Sequence, residues 1–340
     1  MTTSLVTGGG GFIGRHLVRQ LIDDGDDVRV LGRHHYTGLP DGVRQIVADI
    51  TDRRSLDAVF DGVDVIYHVA ALPGVAGRTE QYERVNIEGT QNVLEAALAA
   101  GVPRLVATST PSVIFGRTGH VDADESLPYP DQYLADYPRT KAAAERRVLA
   151  ASGSHLKTTA IRPHLVFGPG DTNLQPRVVE RARRGRLRIV GDGKQPISVA
   201  YVENVAAAHR QAAFELDGEA RCAGRAYFVN EPEPVKTGEW INTLLSLADQ
   251  PRCERTIGAG AAYAAGAVLE QAWRWLPLSG EPPMTRFVAR QLSEPHSFRT
   301  DAAERDFGYA PPVDWDTALD RTRAWATKRF ATDSSVRRTG

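Results

Sequence analysis

The chain has 340 residues, enough to bury a large core in one α/β domain or in a main domain with a smaller lobe. Its formal net charge is −1, from 41 basic and 42 acidic side chains, so no nucleic acid is expected as the main partner. The two cysteines, Cys222 and Cys253, have no C-x-x-C spacing and are expected to be free thiols in a reducing compartment.

Short apolar runs alternate with amphipathic runs from the first residues onward. They predict strands at Ser4–Thr7, Asp27–Leu31, Gln45–Ala48, Asp64–Ala70, Arg104–Ser109 and Thr158–Arg162. Helices are predicted between them at Gly14–Asp23, Ser55–Phe60, Tyr82–Ala100 and Tyr137–Ala150. This alternation is typical of an α/β fold with a doubly wound parallel sheet, in which ligands bind along the carboxyl edge of the strands. Because the first strand starts near Ser4, no signal peptide is expected and the predicted location is cytoplasmic.

The pattern loosens after about Pro163, where glycine turns and proline-broken helices follow. A basic helix is predicted at Gln175–Arg186, a helix at Val202–Glu215 and a last strand at Ala226–Val229. We predict a first domain of residues 1–168, to which residues 198–230 return. A smaller, mostly helical C-terminal lobe is predicted from residues 169–197 and 231–330, followed by a disordered tail of residues 331–340.

One segment, Ile257–Leu269, is almost entirely apolar and is followed by Trp273, Trp275 and Leu276. It is too short to span a bilayer, so a buried, alanine-rich helix is the expected structure. The alternative is a lid, an acyl-chain channel or an interfacial contact, where tryptophans are common. That alternative leaves a peripheral membrane contact open.

A glycine-rich turn connects the first strand to the first helix. Gly8, Gly11 and Gly14 have G-x-x-G-x-x-G spacing between the strand and the helix. Glycines there permit a tight turn and the close approach of a pyrophosphate, which the free N–H groups and positive end of the helix attract. The turn therefore predicts a Rossmann-type domain that binds a dinucleotide.

The end of the second strand indicates which dinucleotide is bound. A carboxylate there would accept hydrogen bonds from the adenosine ribose and select NAD, but the expected position holds Gly32, followed by Arg33. A guanidinium suits a 2′-phosphate, so NADP(H) is favoured over NAD(H); the alternative is that Arg33 stacks on adenine or points to solvent. Asp49 and Ile50 are predicted beside the adenine, and Ala70 is small enough to let the cofactor pass.

Tyr137 and Lys141 stand four residues apart, on one face of a predicted helix. An ammonium near a phenol favours the phenolate, so Lys141 is expected to lower the Tyr137 pKa from about 10. A tyrosine tuned in this way exchanges a proton with a carbonyl or alcohol oxygen near neutral pH. An ordinary half-exposed aromatic is the alternative for Tyr137 alone, but the preceding run Thr108–Thr110 favours the catalytic interpretation.

Together these motifs resemble the extended short-chain dehydrogenase/reductases, in order along almost the whole chain. The matching stretches are Thr7–Gly14, Asp49-Ile50, His68–Ala71, Val85–Thr90, Tyr137-x-x-x-Lys141 and Arg162-Pro163. Two further stretches, Ile161–Asp171 and Gly280–Val288, are similar to the 3β-hydroxysteroid dehydrogenase-like branch. Within that branch the chain resembles the bacterial 2-alkyl-3-oxoalkanoate reductases of long-chain olefin and β-lactone biosynthesis.

The resemblance implies a role for each matched position. Tyr137 would donate a proton to a substrate ketone, and Lys141 would lower its pKa and bond the nicotinamide ribose. The third catalytic position, usually serine, falls on Thr110, with Ser109 and Ser112 as alternatives. No metal ligand is implied. The other cofactor contacts are implied at Phe12, Ile13, Pro163 and Leu165. Asn86 is expected to orient the helix or cofactor or to be a structural amide, and His164 to have a packing role.

The implied reaction is the NADP-dependent interconversion of a 2-alkyl-3-oxoalkanoic acid and a 2-alkyl-3-hydroxyalkanoic acid. A long-chain substrate would need an apolar tunnel, with Tyr263–Leu278 and Met284–Leu292 as its candidate lining. Arg286 and Arg290 are candidates for the substrate carboxylate, although both are expected to face solvent. The alternatives are a hydroxysteroid or sterol dehydrogenase, a sugar-nucleotide epimerase or dehydratase, and a redox-sensing binding protein. A homodimer is expected, and assembly with pathway enzymes is left open.

Overall fold

The computed structural model describes residues 1–74, 77–116, 118–276 and 280–335. Its strands are β1 (Thr3–Thr7), β2 (Asp27–Gly32), β3 (Arg44–Val47), β4 (Val65–His68), β5 (Arg104–Thr108), β6 (His120–Ala123), β7 (Lys157–Pro163), β8 (Val166–Phe167), β9 (Ile189–Val190), β10 (Pro196–Ile197), β11 (Ala200–Tyr201), β12 (Arg225–Val229), β13 (Val235–Lys236), β14 (Thr256–Ile257) and β15 (His296–Phe298). Its helices are α1 (Phe12–Asp23), α2 (Thr79–Tyr82), α3 (Gly89–Ala99), α4 (Asp136–Ala150), α5 (Leu174–Arg183), α6 (Val202–Asp217), α7 (Thr237–Leu247), α8 (Ala259–Trp275), α9 (Arg286–Ser293), α10 (Asp301–Phe307) and α11 (Trp315–Ser335).

A large parallel sheet, built from the first half of the chain and the later strand β12, organises the fold. Its seven strands lie in the order β12–β7–β5–β4–β1–β2–β3, and every pairing between them is parallel. The strand order reverses between β1 and β4, so their carboxyl ends border a crevice of the kind in which doubly wound sheets bind ligands. The predicted α/β fold is confirmed, including the return of the last predicted strand, observed as β12, to the sheet edge.

Apolar side chains fill both faces of this sheet. In β1, Leu5 and Val6 are both fully buried but belong to opposite cores, because successive residues of a strand point to opposite faces. Val6 packs in the core shared with α1 and α6, and Leu5 in the core shared with α3. A strand buried on both faces needs apolar side chains on both, and the adjacent Leu5 and Val6 supply them at the centre of β1.

The smaller lobe contains a mixed sheet in the order β13–β10–β15–β6. The β10–β13 pairing is antiparallel, whereas β10–β15 and β15–β6 are parallel. β6 falls inside the predicted first domain, residues 1–168, yet it pairs with β15 of the predicted lobe. The sheets therefore cross that boundary, and the division of the chain at the predicted residues stays a prediction.

Some element boundaries differ from those predicted. The helix predicted at Ser55–Phe60 is a short 3-10 helix at Arg53–Leu56. The helix predicted at Tyr82–Ala100 passes through a π-helical turn, Glu83–Glu88, before α3. At the C-terminus α11 continues to Ser335, past the predicted start of the tail, and residues 336–340 lie outside the described residues.

The apolar segment predicted to be buried forms a surface helix, α8, so that prediction is wrong. Only Ala262 and Gly266, one turn apart, are fully buried, whereas Val268 and Trp275 are 69% and 75% exposed. The reason is that α9 covers one narrow stripe of α8. Throughout the described ranges, no helix is long and apolar enough to cross a bilayer. The lid, channel and interfacial interpretations stay predictions, and Leu278 lies outside the described residues.

The contact between α8 and α9 generates the first prediction. A Cβ on Gly266 would lie 2.6 Å from the carbonyl carbon of Thr285 and 2.7 Å from the nitrogen of Arg286. We predict that Gly266→Ala destabilises the protein by about 1–3 kcal/mol through overpacking, measured as a lower Tm and faster hydrogen exchange in α9. Gly260→Ala is the matched control, since nothing lies within 4 Å of a Cβ there. Equal losses in the two variants would contradict the packing argument.

Candidate active site

The glycine turn after β1 has the geometry of a phosphate-binding loop. Gly8 has a φ of +70°, and a Cβ on Gly14 would lie 2.4 Å from the Gly8 carbonyl oxygen, so both positions require glycine. Gly11 precedes α1 and makes no side-chain cap, which leaves the first N–H groups of the helix available. Ala70 borders the turn, 2.9 Å from a Cβ built on Gly8. These residues fit the pyrophosphate of a dinucleotide.

Tyr36 was missed by the sequence analysis, although it fills the space beside this turn. A Cβ on Gly10 would lie 2.0 Å from its ring, and a Cβ on Gly32 would lie 2.3 Å from its hydroxyl oxygen. Its backbone is held by Gln45, which accepts from the Tyr36 nitrogen at 2.7 Å and donates to the Tyr36 carbonyl at 3.1 Å. The Tyr36 phenol therefore occupies the space at residue 32, the position where a carboxylate would select NAD. Arg33 follows Gly32 and is exposed.

The residues predicted beside the adenine lie at the end of β3. The Asp49 carboxylate accepts a hydrogen bond from the backbone nitrogen of Thr51 at 2.9 Å, which closes a local turn. Ile50 is buried against α3, where a Cβ on Gly89 would lie 2.7 Å from its terminal carbon. Asp49 is thus half-exposed at the sheet edge, whereas Ile50 mainly supports α3 from below.

The predicted catalytic residues come together at the carboxyl end of β5. The Thr110 side chain lies near the Tyr137 hydroxyl and acts to lower its pKa as a hydrogen-bonding neighbour. Lys141, one turn along α4, is buried and donates from Nζ to the Thr108 carbonyl at 2.7 Å. Thr110 begins a 3-10 turn in which its Oγ1 accepts from the backbone nitrogen of Ser112 at 3.2 Å. Of the alternatives to Thr110, Ser112 joins this group, while Ser109 is buried and donates its backbone N–H to the strand β7.

Burial changes the pKa of both predicted catalytic groups on α4. It raises the pKa of Tyr137 to about 12, and the hydrogen bond with Thr110 opposes this shift without cancelling it. The pKa of Tyr137 is therefore raised where the sequence predicted it to be lowered, because burial outweighs the other contributions. Burial lowers the pKa of Lys141 to about 8, while the negative charge of Glu145 acts to raise it. At neutral pH Tyr137 keeps its proton and Lys141 keeps its charge.

A buried ion pair lies one turn beyond Lys141. Arg162 donates from Nε to Glu145 Oε2 at 2.9 Å and from Nη2 to Oε1 at 2.6 Å, and the Tyr129 hydroxyl donates to Oε1 at 2.6 Å. Burial alone would raise the pKa of Glu145, but the charge and hydrogen bonds of Arg162 more than offset it, so the pKa is lowered. Glu145 therefore stays ionised and provides the negative charge that Lys141 experiences.

Two polar side chains fix the strand ends around this group. His68 is buried between the side chains of Thr7 and Thr90, at 2.9 and 3.0 Å, and burial followed by the charge of Lys141 lowers its pKa to about 3. Asn86, in the π-helical turn, bonds the backbone of the loop after β4 and donates to Thr140 Oγ1 at 3.1 Å. Since Thr140 precedes Lys141, Asn86 orients the catalytic helix.

The end of β7 carries the remaining predicted positions. Pro163 is its last residue, and Leu165 has a φ of +42°, a strained conformation of the kind found at functional sites. Phe12, Ile13 and Leu165 are half-buried and pack against the same apolar cluster. His164, which lies between Pro163 and Leu165 in the chain, is buried. Its Nε2 lies 2.7 Å from Nδ1 of His296, and burial lowers the pKa of His164 well below the ordinary value.

Comparisons with known proteins show what the chain is similar to. Residues 5–256 match the model of the 3-beta hydroxysteroid dehydrogenase/isomerase family. The 2-alkyl-3-oxoalkanoate reductase of Stenotrophomonas maltophilia (strain K279a) is 45% identical over 324 residues, 94% of this chain and 98% of that protein. The decarboxylating sterol-4-alpha-carboxylate 3-dehydrogenase of Homo sapiens is 32% identical over 322 residues, 93% of this chain and 86% of that protein. The solved dTDP-glucose 4,6-dehydratase DesIV of Streptomyces venezuelae, with NAD and TYD bound, aligns with a TM-score of 0.74 at 25% identity, over 97% of this chain and 98% of that chain.

The buried ion pair generates the second prediction. Glu145→Gln leaves the Arg162 guanidinium buried without its counter-charge, so the free energy of unfolding should fall by about 3–5 kcal/mol in denaturant titrations. Glu180→Gln is the matched control, because Glu180 and Arg184 are also 2.6 Å apart but exposed. Its loss should stay below about 1 kcal/mol. Similar losses in both variants would show that burial of the first pair does not matter.

Proposed function

Because the chain belongs to the 3-beta hydroxysteroid dehydrogenase/isomerase family, we propose that it is an NADP-dependent reductase of 2-alkyl-3-oxoalkanoic acids. At the coarser level it is an NAD(P)-dependent oxidoreductase of the short-chain type that acts on CH–OH or oxo groups. The observation that carries the proposal is the contact of Tyr137 with Thr110 beside the charged Lys141, at the carboxyl edge of the sheet.

The chain's own groups supply the proton and the electrostatics of the reaction. When bound, the dinucleotide supplies the hydride that reduces the C3 carbon. Tyr137 donates its phenolic proton to the ketone oxygen, and its raised pKa means that this proton is present at neutral pH. The Thr110 hydroxyl, whose single hydrogen bonds Ser112 in the free site, turns to donate to the same oxygen as negative charge develops there. The ammonium of Lys141 stabilises the phenolate until a proton from solvent replaces the one transferred.

The names of two relatives support one substrate class. In a 2-alkyl-3-oxoalkanoate the oxo carbon lies next to the carbon that bears the carboxylate. A sterol 4-carboxylate dehydrogenated at position 3 has the same arrangement on neighbouring carbons. We infer that this chain also acts on a β-oxo or β-hydroxy acid. The identity to the first relative favours an acyclic substrate, and a sterol carboxylate is the second candidate, which a panel of both substrates separates.

The residues that border the substrate's alkyl chains and the assembly of the protein with other molecules remain proposals. Tyr263, Met284 and Leu292 pack in one apolar cluster between α8 and α9, and we propose that they border the alkyl chains. The exposed Val268 and Trp275 of α8 form an apolar surface that suits a peripheral membrane contact or a pathway enzyme. The expected homodimer also stays a prediction.

For the cofactor we propose NADP(H) rather than NAD(H). The end of β2 has no acidic side chain to repel a 2′-phosphate, because its last residue is Gly32. The Tyr36 hydroxyl occupies the space at Gly32 instead. Arg33, which follows Gly32, is exposed and carries the charge that a 2′-phosphate requires. A neutral phenol and a guanidinium together suit a phosphate oxygen better than a ribose hydroxyl.

The third prediction concerns the proton donor. Tyr137→Phe keeps the ring and removes the proton, so kcat for reduction of a 2-alkyl-3-oxoalkanoic acid should fall by about 10²–10⁴-fold. The Kd of NADPH, measured by fluorescence titration, should change little. Tyr133→Phe is the matched control, because that hydroxyl donates to the Val113 carbonyl at 2.9 Å. Unchanged turnover by Tyr137→Phe would refute the proton-donor role.

The fourth prediction concerns cofactor choice. Arg33→Ala should raise the Kd of NADPH by about tenfold or more, the value of one lost charge-assisted hydrogen bond, and should leave the Kd of NADH nearly unchanged. Both values come from fluorescence titration without substrate. Arg19→Ala, on the exposed face of α1, makes the same change in charge and should affect neither cofactor. Equal weakening of NADPH and NADH by Arg33→Ala would end the phosphate-recognition claim.

A further inference from the structure

A chain of hydrogen bonds joins the turn at Thr110–Ser112 to the smaller lobe. Gln291 of α9 donates from Nε2 to Ser112 Oγ at 3.3 Å, and Ser112 Oγ lies 3.2 Å from Thr110 Oγ1. The Gln291 backbone carbonyl lies 2.5 Å from Nε2 of His296, whose Nδ1 lies 2.7 Å from Nε2 of His164. Ser112, His164 and His296 are 5%, 4% and 3% exposed. The mechanism above uses none of these side chains beyond Thr110.

The two histidines form these bonds with one arrangement of hydrogens. A backbone carbonyl only accepts, so Nε2 of His296 carries its hydrogen and Nδ1 accepts, which makes Nε2 of His164 the donor. Burial lowers the pKa of both imidazoles, so both are neutral. The pair therefore holds the backbone of Gln291 in one position and supports its side chain next to Ser112.

Two hydrogens remain available at this point of the site. Ser112 Oγ accepts from Thr110 and from Gln291, so neither bond uses the hydrogen of Ser112 itself. The amide nitrogen of Gln291 carries a second hydrogen as well. The Ser112 hydroxyl lies beside Thr110, and the Gln291 amide, contributed by α9, lies beyond it against Ser112. Neither takes part in proton transfer from Tyr137.

We propose that Ser112 and Gln291 form the subsite for the substrate carboxylate, an inference that rests on the proposed function. The hydroxyl oxygens of Thr110 and Ser112 are 3.2 Å apart. Two oxygens on carbons separated by one carbon, as in a β-oxo acid, lie about 3 Å apart by ordinary bond lengths. With the ketone oxygen at Tyr137 and Thr110, the carboxylate falls at Ser112 and Gln291.

The two arginines suggested for this carboxylate by the sequence are engaged by acidic side chains. Arg286 donates from Nε to Glu270 Oε2 at 2.6 Å and from its backbone nitrogen to Oε1 at 2.7 Å. Arg290 lies 3.5 Å from Glu294 and over the ring of Tyr263. The charge of this carboxylate does not change during the reaction. Its recognition therefore contributes equally to ground-state and transition-state binding and affects KM more than kcat.

The test compares a 2-alkyl-3-hydroxyalkanoic acid with its methyl ester in NADP⁺-dependent oxidation, a direction that uses a chemically stable substrate. The native enzyme should prefer the acid by about tenfold or more in kcat/KM. Gln291→Leu should raise KM for the acid by about tenfold, with kcat and both ester parameters nearly unchanged. Gln291→Glu adds a repelling charge and should raise KM for the acid further.

Controls separate this inference from a structural role and from the proposed function. Gln271→Leu makes the same change at an exposed glutamine of α8 and should alter neither substrate. If thermal unfolding shows that Gln291→Leu does not fold, Ser112→Ala makes the same prediction. Equal losses on acid and ester, or a native enzyme that oxidises both alike, would overturn the subsite and leave the proposed function intact. A native enzyme that binds NADPH but oxidises no such acid would refute the proposed function itself.

Discussion

The buried ammonium of Lys141 is the constraint on which the site depends. A charge inside a protein is costly unless it is hydrogen-bonded and balanced by an opposite charge. The Thr108 carbonyl provides the first condition, and the ionised Glu145, one turn along α4, provides the second. Glu145 in turn stays ionised because Arg162 of β7 neutralises it. Charge as well as apolar packing therefore fixes α4 against β5 and β7, and this docking brings Tyr137 to Thr110.

The turn at Thr110–Ser112 is contacted from two sides, by α4 and by the smaller lobe. Tyr137 contacts Thr110 from α4, and Gln291 reaches Ser112 from α9. α9 itself is fixed to α8, through the close approach at Gly266 and the pair of Arg286 with the α8 side chain Glu270. A displacement of these two lobe helices would therefore move Gln291 and change its hydrogen bond with Ser112. A substrate seated between the lobe and the turn would order both.

The sequence predicted those parts of the fold and of the site that depend on local patterns. The glycine spacing, the alternation of strands and helices, and the pair on α4 all depend on near neighbours in the chain. The Tyr137 pKa was predicted in the wrong direction because burial depends on distant segments. Tyr36 was missed although glycine at residues 10 and 32 was visible, since only the fold places one ring beside both. Gln291 and Ser112 are 179 positions apart, and no periodicity links them.

Burial acts in opposite directions on the two groups of α4, and both shifts suit the proposed reduction. It raises the pKa of Tyr137 to about 12 and lowers that of Lys141 to about 8. In the proposed reaction, Tyr137 therefore has a proton to donate at neutral pH, and Lys141 has the positive charge that stabilises the phenolate left behind. Oxidation of the alcohol starts from the phenolate instead, so the same two groups serve both directions, and oxidation should become faster relative to reduction as the pH rises.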